Sequence, residues 1–198
     1  TILTKDGKRM SKSLGTGLDP LNYINQFGAD ATRFGIIWQA TGQDIRWDEA
    51  AVIAGRKFAN KIWNASRFVI EQTANSKFQI PNDKQISNIK YQTAADRKIL
   101  KSLAKMKKQT EKMIGNFELS KTLRLLYNFF WHEFCDRYIE ESKKQIRNDK
   151  LTAGTQKILA YTLKESLKML HPFMPFITEA VYEHLPIEDK KLLIVETW

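Results

Sequence analysis

The segment Gly7-Lys8-Arg9-Met10-Ser11-Lys12-Ser13-Leu14-Gly15 concentrates cations, hydroxyls and glycines near the start of a 198-residue sequence. A lysine ammonium is a compact, mobile charge suited to a triphosphate. Serine hydroxyls and free backbone amides add donors, and the glycines let such a loop change shape. The chemistry it suits is the handling of phosphoryl oxygens. Composition alone fits a solvent-exposed loop equally well.

A second group of chemistry-bearing residues lies on a predicted helix opened by Asp48 and reaching about Thr73. At about 100° per residue, Val52, Phe58, Ala59, Ile62, Trp63, Ser66, Val69 and Ile70 share one broad apolar side. Lys57, Asn60, Lys61, Asn64, Arg67 and Phe68 share the other. An aromatic ring among Lys, Arg and Asn suits an unstacked base with phosphate nearby. The competing reading buries this helix on two sides, with Phe68 packed on a neighbour. A helix near 94–115 carries a purely basic face of Arg97, Lys98, Lys101, Lys105, Lys108 and Lys112, opposite Ile99, Leu103, Met106, Thr110 and Met113. That face attracts a polyanion or simply keeps the surface solvated.

Other candidates carry less. His132 beside Glu133 reads as surface, with no partner in the sequence. His132, His171 and His184 show no metal-ligand spacing, so no metal site is expected. The single Cys135 excludes an internal disulfide framework. No run is long enough for a membrane span, no signal peptide is present, and a reducing cytoplasm fits the cysteine usage.

The positioning elements are helical. Asp19-Pro20 is a helix start, with Asp as N-cap and Pro at the first position. That helix stops near Gly28, and a second runs from about Ala29 to Ala40. Residues 74–92, polar and containing Pro81, read as a linker. Further helices are expected near 118–147, 153–171 and 174–185, the first with a stripe of Leu123, Leu126, Tyr127, Phe130, Phe134 and Tyr138. Leu192-Leu193-Ile194-Val195 reads as extended. The fold class is all-α, a helical bundle preceded by a flexible loop segment. Residues 1–46 form one unit and 47–198 the other. A net charge of +10, from 32 Lys+Arg against 22 Asp+Glu, favours a polyanionic partner.

The exact words carry more than the composition. Met10-Ser11-Lys12-Ser13-Leu14-Gly15, then Asp19-Pro20, then Phe27-Gly28-Ala29-Asp30-Ala31-Thr32-Arg33, resembles the signature loop of class I aminoacyl-tRNA synthetases. Gly42-Gln43-Asp44-Ile45-Arg46 and the stretch from Lys57 through Asn60-Lys61-Ile62-Trp63-Asn64 to Phe68 are similar to the valyl branch. Phe134-Cys135-Asp136-Arg137-Tyr138-Ile139-Glu140 and Leu170-His171-Pro172-Phe173-Met174-Pro175-Phe176-Ile177 also match family phrases. The resemblance spans nearly the whole chain in order. Isoleucyl- and leucyl-type enzymes share the loop and the His-Pro-Phe phrase, so an isoleucyl-type parent or an isolated RNA-binding module are the alternatives.

The resemblance implies roles. Lys12 would be catalytic, stabilising the pyrophosphate leaving group as valine attacks the α-phosphate of ATP. Arg9, Met10, Ser11, Lys12 and Ser13 would form the ATP-binding loop, with Arg9 where the family usually has Lys. The helices would be an anticodon-binding bundle, with Lys57, Asn60, Lys61, Asn64, Arg67 and Phe68 touching tRNA. The implied partners are valine tRNA, with ATP, its Mg and valine bound through a catalytic half that this chain lacks; the implied state is a cytoplasmic monomer. No His-x-Gly-His word occurs, so the chain reads as a C-terminal fragment that binds no ATP and is inactive alone.

Overall fold

A computed structural model describes residues 2–4, 6–11, 13, 15–74, 78–89, 93–187 and 190–196. Strand β1 (Ile2–Leu3) opens the chain, followed by α1 (Pro20–Phe27) and α2 (Ala29–Gln39). β2 (Ile45–Arg46) returns to pair in parallel with β1, Ile2 opposite Ile45 and Leu3 opposite Arg46. Long α3 (Ala50–Gln72) leads through short α4 (Asp83–Ser87) to α5 (Ala94–Gly115) and α6 (Leu119–Asn128). A π-helical segment (Phe129–Ile139) continues directly into α7 (Glu140–Gln145). α8 (Asp149–Leu170), α9 (Pro175–Glu183) and a 3-10 turn (Leu193–Val195) complete the order. Helix dominates, as the all-α reading holds.

Local chemistry explains the boundaries. The Asp19 carboxylate accepts the N–H of Leu21 at 2.9 Å, with Pro20 at the first helical position. Asp48 accepts Ala50 N–H at 3.0 Å and opens α3. Asn82 with Gln85, and Thr93 with Asp96, form reciprocal capping boxes that start α4 and α5. α4 lies inside the stretch read from sequence as a linker. It is too short for a periodicity signal, but its capping pair was readable. The expected extended run at 192–195 is a 3-10 turn instead.

The main core gathers Phe58, Ile62, Leu103, Leu123, Phe130 and Leu163 among many others from α3, α5, α6, the π segment, α8 and α9. A smaller core of Ala31, Trp47 and Val52, with Met10, Tyr23 and Phe27 against it, ties the N-terminal loop to the start of α3. The helix expected over 118–147 is continuous, but its centre is π-helical. The aromatic stripe is buried as its spacing predicts, apart from half-buried Tyr127. Burial pushes the Cys135 thiol up to about 12, which removes it as a nucleophile. No helix among the described residues is long and apolar enough to cross a membrane.

Candidate phosphate loop and nucleic-acid interface

The loop is held at its base by its own backbone. Leu3 and Arg9 form an antiparallel bridge, and Thr4 N–H donates to Lys8 C=O at 2.8 Å. Further on, the Ser11 carbonyl accepts from the N–H groups of Thr16 and Gly17 at 3.1 and 3.2 Å. Ser11 N–H donates to the Thr16 hydroxyl at 3.0 Å. The hydroxyls of Ser11 and Ser13 lie 2.7 Å apart. Two predicted members of the phosphate loop are therefore together, and Met10 anchors them by packing into the smaller core. Arg9 is exposed beside them. Lys12, the predicted catalytic lysine, lies outside the described residues. Gly15 has φ +65°, a conformation that favours glycine.

α3 links the two candidate sites. Val52 sits in the small core beneath the loop, and Phe68 lies 16 positions on, about 24 Å along the helix at 1.5 Å per residue. Along the intervening surface Lys57, Asn60, Asn64 and Arg67 are exposed, as the periodicity predicts. Two predicted members behave differently. Lys61 donates to the Asp136 carboxylate at 2.9 Å and lies 5.1 Å from the Trp131 ring centre. Burial, the largest single influence, would depress this ammonium, but the bond to Asp136 and the negative charge around it, Asp136 and Glu140 included, together hold the pKa above the ordinary lysine value. Phe68 is half-buried and packs against the main core, with the Lys143 ammonium 5.6 Å from its ring centre. The ring is thus shared between packing and a cation, not displayed freely.

The structure adds residues that sequence reasoning missed. Asp136 accepts from Lys61, and its other oxygen lies 3.1 Å from His132 Nδ1. The Lys61 bond, and secondarily His132, hold its carboxyl below the usual range. His132 therefore has a partner, and Glu133 accepts a hydrogen bond from the Ser102 hydroxyl; the sequence offers neither residue a partner. Lys61 and Asp136 stand 75 positions apart in sequence, beyond any local signal. Trp63, expected on the buried side of α3, is 38% exposed. It lines a groove with Ser66, Arg67 and Ile70 of α3 and Val181 and His184 beyond. Its exposure follows from its place between the two stripes of α3, which neighbours decide. The basic face of α5 is exposed throughout its six predicted cations. No group of metal-ligating side chains occurs among the described residues.

Known proteins resemble the chain in both parts. Residues 96–198 match the family described as the anticodon-binding domain of tRNA ligase. Residues 1–48 match the class I tRNA synthetases for I, L, M and V. The chain is 43% identical to a valine–tRNA ligase of Pseudothermotoga lettingae over 194 residues, 98% of this chain and 22% of that protein. It is 40% identical to the corresponding ligase of Thermotoga maritima over 196 residues, with the same coverage. The chain thus spans about a fifth of the length of these curated relatives. Among solved structures, a LeuRS–tRNA–LeuAMS ternary complex of Agrobacterium radiobacter superposes with a TM-score of 0.78 at 20% identity, over 100% of this chain and 23% of that one. Mycobacterium tuberculosis methionyl-tRNA synthetase with methionyl-adenylate gives 0.71 at 18% identity, over 91% and 36%. At those identities the likeness concerns the fold.

Proposed function

Because the chain belongs to the anticodon-binding domain family of tRNA ligases, we propose that it is the tRNA-holding part of a valine–tRNA ligase, with its N-terminal loop completing that enzyme's ATP site. The observation that carries this reading is the 43% identity to a valine–tRNA ligase across 98% of the chain, which takes in loop, α3 and bundle alike. The geometry supports it, because one rigid helix joins the anchor of the phosphate loop to an exposed polar and basic face.

In this reading residues 1–46 complete the catalytic region and 47–198 hold the anticodon arm. Lys12 stabilises the pyrophosphate leaving group while Mg accompanies ATP, and Arg9, Ser11 and Ser13 support the closed loop. The chemistry is electrostatic stabilisation of a phosphoryl-type transition state, with no covalent role for the protein. Lys57, Asn60, Asn64 and Arg67 meet the RNA, Lys61 contributes from its ion pair, and Phe68 supports the face from beneath. The ligase works as a cytoplasmic monomer, and this chain alone makes no aminoacyl-adenylate.

Two measurements test the reading. Titration with valine tRNA and an unrelated tRNA should show preference for the former, with affinity falling steeply as salt rises. Equal, weak binding to both leaves only generic electrostatics. In the longer ligase, Lys12→Ala should cut pyrophosphate exchange by orders of magnitude while substrate binding holds. A wild-type exchange rate removes Lys12 from catalysis.

A further inference from the structure

We infer that the exposed lysine row of α5 is a second RNA surface, separate from the α3 face, which holds the phosphate backbone of an RNA helix without reading its sequence. Lys98, Lys101, Lys105, Lys108 and Lys112 are all exposed. Their spacing of three and four residues sets them in one line about 21 Å long at 1.5 Å per residue. The surface neighbours of each lysine are then other lysines, and like charges so placed repel. The acids of α5 do not relieve this. Asp96 is buried against Thr93 and Tyr138, and Glu111 pairs with none of the five. Several other helix lysines meet carboxylates, Lys61 with Asp136, Lys107 with Glu165 and Lys121 with Glu118, whereas these five form no ion pair among the described residues.

A row that repels itself is relieved when a polyanion covers it. Over about 21 Å a nucleic-acid duplex carries roughly 12 negative charges, and each lysine set against a phosphate releases counterions. The partner is a nucleic acid and not a membrane surface. α5 turns Ile99, Leu103 and Met106 into the core, so its apolar side is not free to enter lipid. RNA is the nucleic acid that the chain's family handles. No aromatic stands in the row to stack a base, and contacts to phosphate alone carry no sequence information.

The π segment divides this surface from α3. It is bonded to α3 through Asp136 and Lys61, and to α5 through Glu133 and Ser102. On the strip that it forms with α7, Glu133, Asp136, Glu140 and Glu141 offset Arg137, Lys143 and Lys144, so no surplus positive charge is left there. Lys98 borders the strip in a groove with Glu133, Arg137 and Glu141. A phosphate backbone held on one side gains no attraction by crossing to the other. The α5 row therefore takes an RNA helix of its own, and the inference does not rest on tRNA being held at α3.

The test uses the whole chain and a labelled, blunt RNA duplex of unrelated sequence, about 16 base pairs long. In the triple variant Lys101→Gln/Lys105→Gln/Lys108→Gln the salt slope of duplex binding should fall by about 3, and affinity at about 0.15 M salt should drop on the order of 100-fold. Lys121→Gln/Lys150→Gln/Lys157→Gln removes the same net charge from other helices and should lose less than about 1 of slope. Glutamine keeps helix propensity, so both should unfold thermally like wild type. If the first does not, Lys105→Gln alone should still lower the slope by about 1. The α5 triple variant should keep the wild-type ratio of affinities for valine tRNA and an unrelated tRNA. Equal slope losses in the two triple variants would reduce the row to generic charge and overturn the site. A changed tRNA ratio would also overturn it, by placing α5 in the tRNA face. Loss of binding to phosphatidylserine vesicles with duplex binding intact would overturn it in favour of a membrane. A wild type without preference for valine tRNA would remove the tRNA reading, while the duplex slopes would still decide this one.

Discussion

The carboxylate of Asp30 in α2 accepts the backbone N–H of Ile177 at 2.6 Å, and its other oxygen accepts that of Phe176 at 3.2 Å. Asp30 thereby caps the start of α9 from 146 positions away. Arg33, one turn further along α2, donates to the carbonyls of Pro172 and Phe173 at 2.9 and 3.4 Å. Two phrases far apart in sequence, around Asp30 and around His171-Pro172-Phe173, are one junction in space. It fixes the N-terminal loop unit to the end of the bundle.

Asp30→Ala should leave two amides at the α9 start without this acceptor. Asp30 is only 8% exposed, so water replaces it poorly. We expect a loss of about 1–3 kcal/mol, read by urea denaturation, with α9 amides exchanging faster. No change in either would show that the cap is redundant.

Glycine spacing sets how closely α2 and α3 approach. A Cβ on Gly35 would lie 2.6 Å from Val52 Cγ2, and one on Gly55 would lie 2.9 Å from the Ala31 carbonyl. Overpacking of that kind costs about 1–3 kcal/mol, against about 1 kcal/mol of helix propensity gained. Gly35→Ala and Gly55→Ala should therefore lower the thermal midpoint. Gly115→Ala, where an added Cβ meets nothing within 4 Å, should raise it slightly.

Glu165 is 4% exposed, and it binds Lys107 at 2.6 Å and Lys168 at 3.7 Å. Removing the carboxylate leaves two largely sheltered cations without it. Glu165→Ala should destabilise the bundle by about 3 kcal/mol, with Glu165→Gln intermediate. A denaturation curve like that of wild type would mean the ammonium groups escape to water.

Two carboxylates should titrate in opposite directions. The Lys61 bond holds Asp136 below the ordinary range, so its contribution is present above the unfolded carboxylate pKa and is lost as pH falls through the folded one. Burial lifts Asp30 more than its two amides lower it. The unfolded chain then releases this proton first, so Asp30 withdraws stability as pH rises from the unfolded value to the folded one. Carboxyl-resolved NMR titration should find Asp136 low and Asp30 high. Lys61→Met should move Asp136 back upward and leave Asp30 unchanged.

The sequence by itself determined the helical architecture and the phosphate-loop word. Apolar residues at 3.6-residue spacing and capping pairs such as Asp19-Pro20 act within a few positions, so they can be read along the chain. The exposed stripe of Lys57, Asn60, Asn64 and Arg67 was legible for that reason. Only the tertiary structure decided which aromatic ring is displayed, because Trp63 and Phe68 lie near the edges of their stripes and neighbouring helices settle their burial. It alone paired Lys61 with Asp136 and Asp30 with the start of α9, since those partners meet only after the chain has closed on itself. The π-helical turn of the central helix is of the same kind. A uniform α spacing predicts the burial of Phe130, Phe134 and Tyr138, but the π geometry of Phe129–Ile139 that carries these side chains is visible only in the structure.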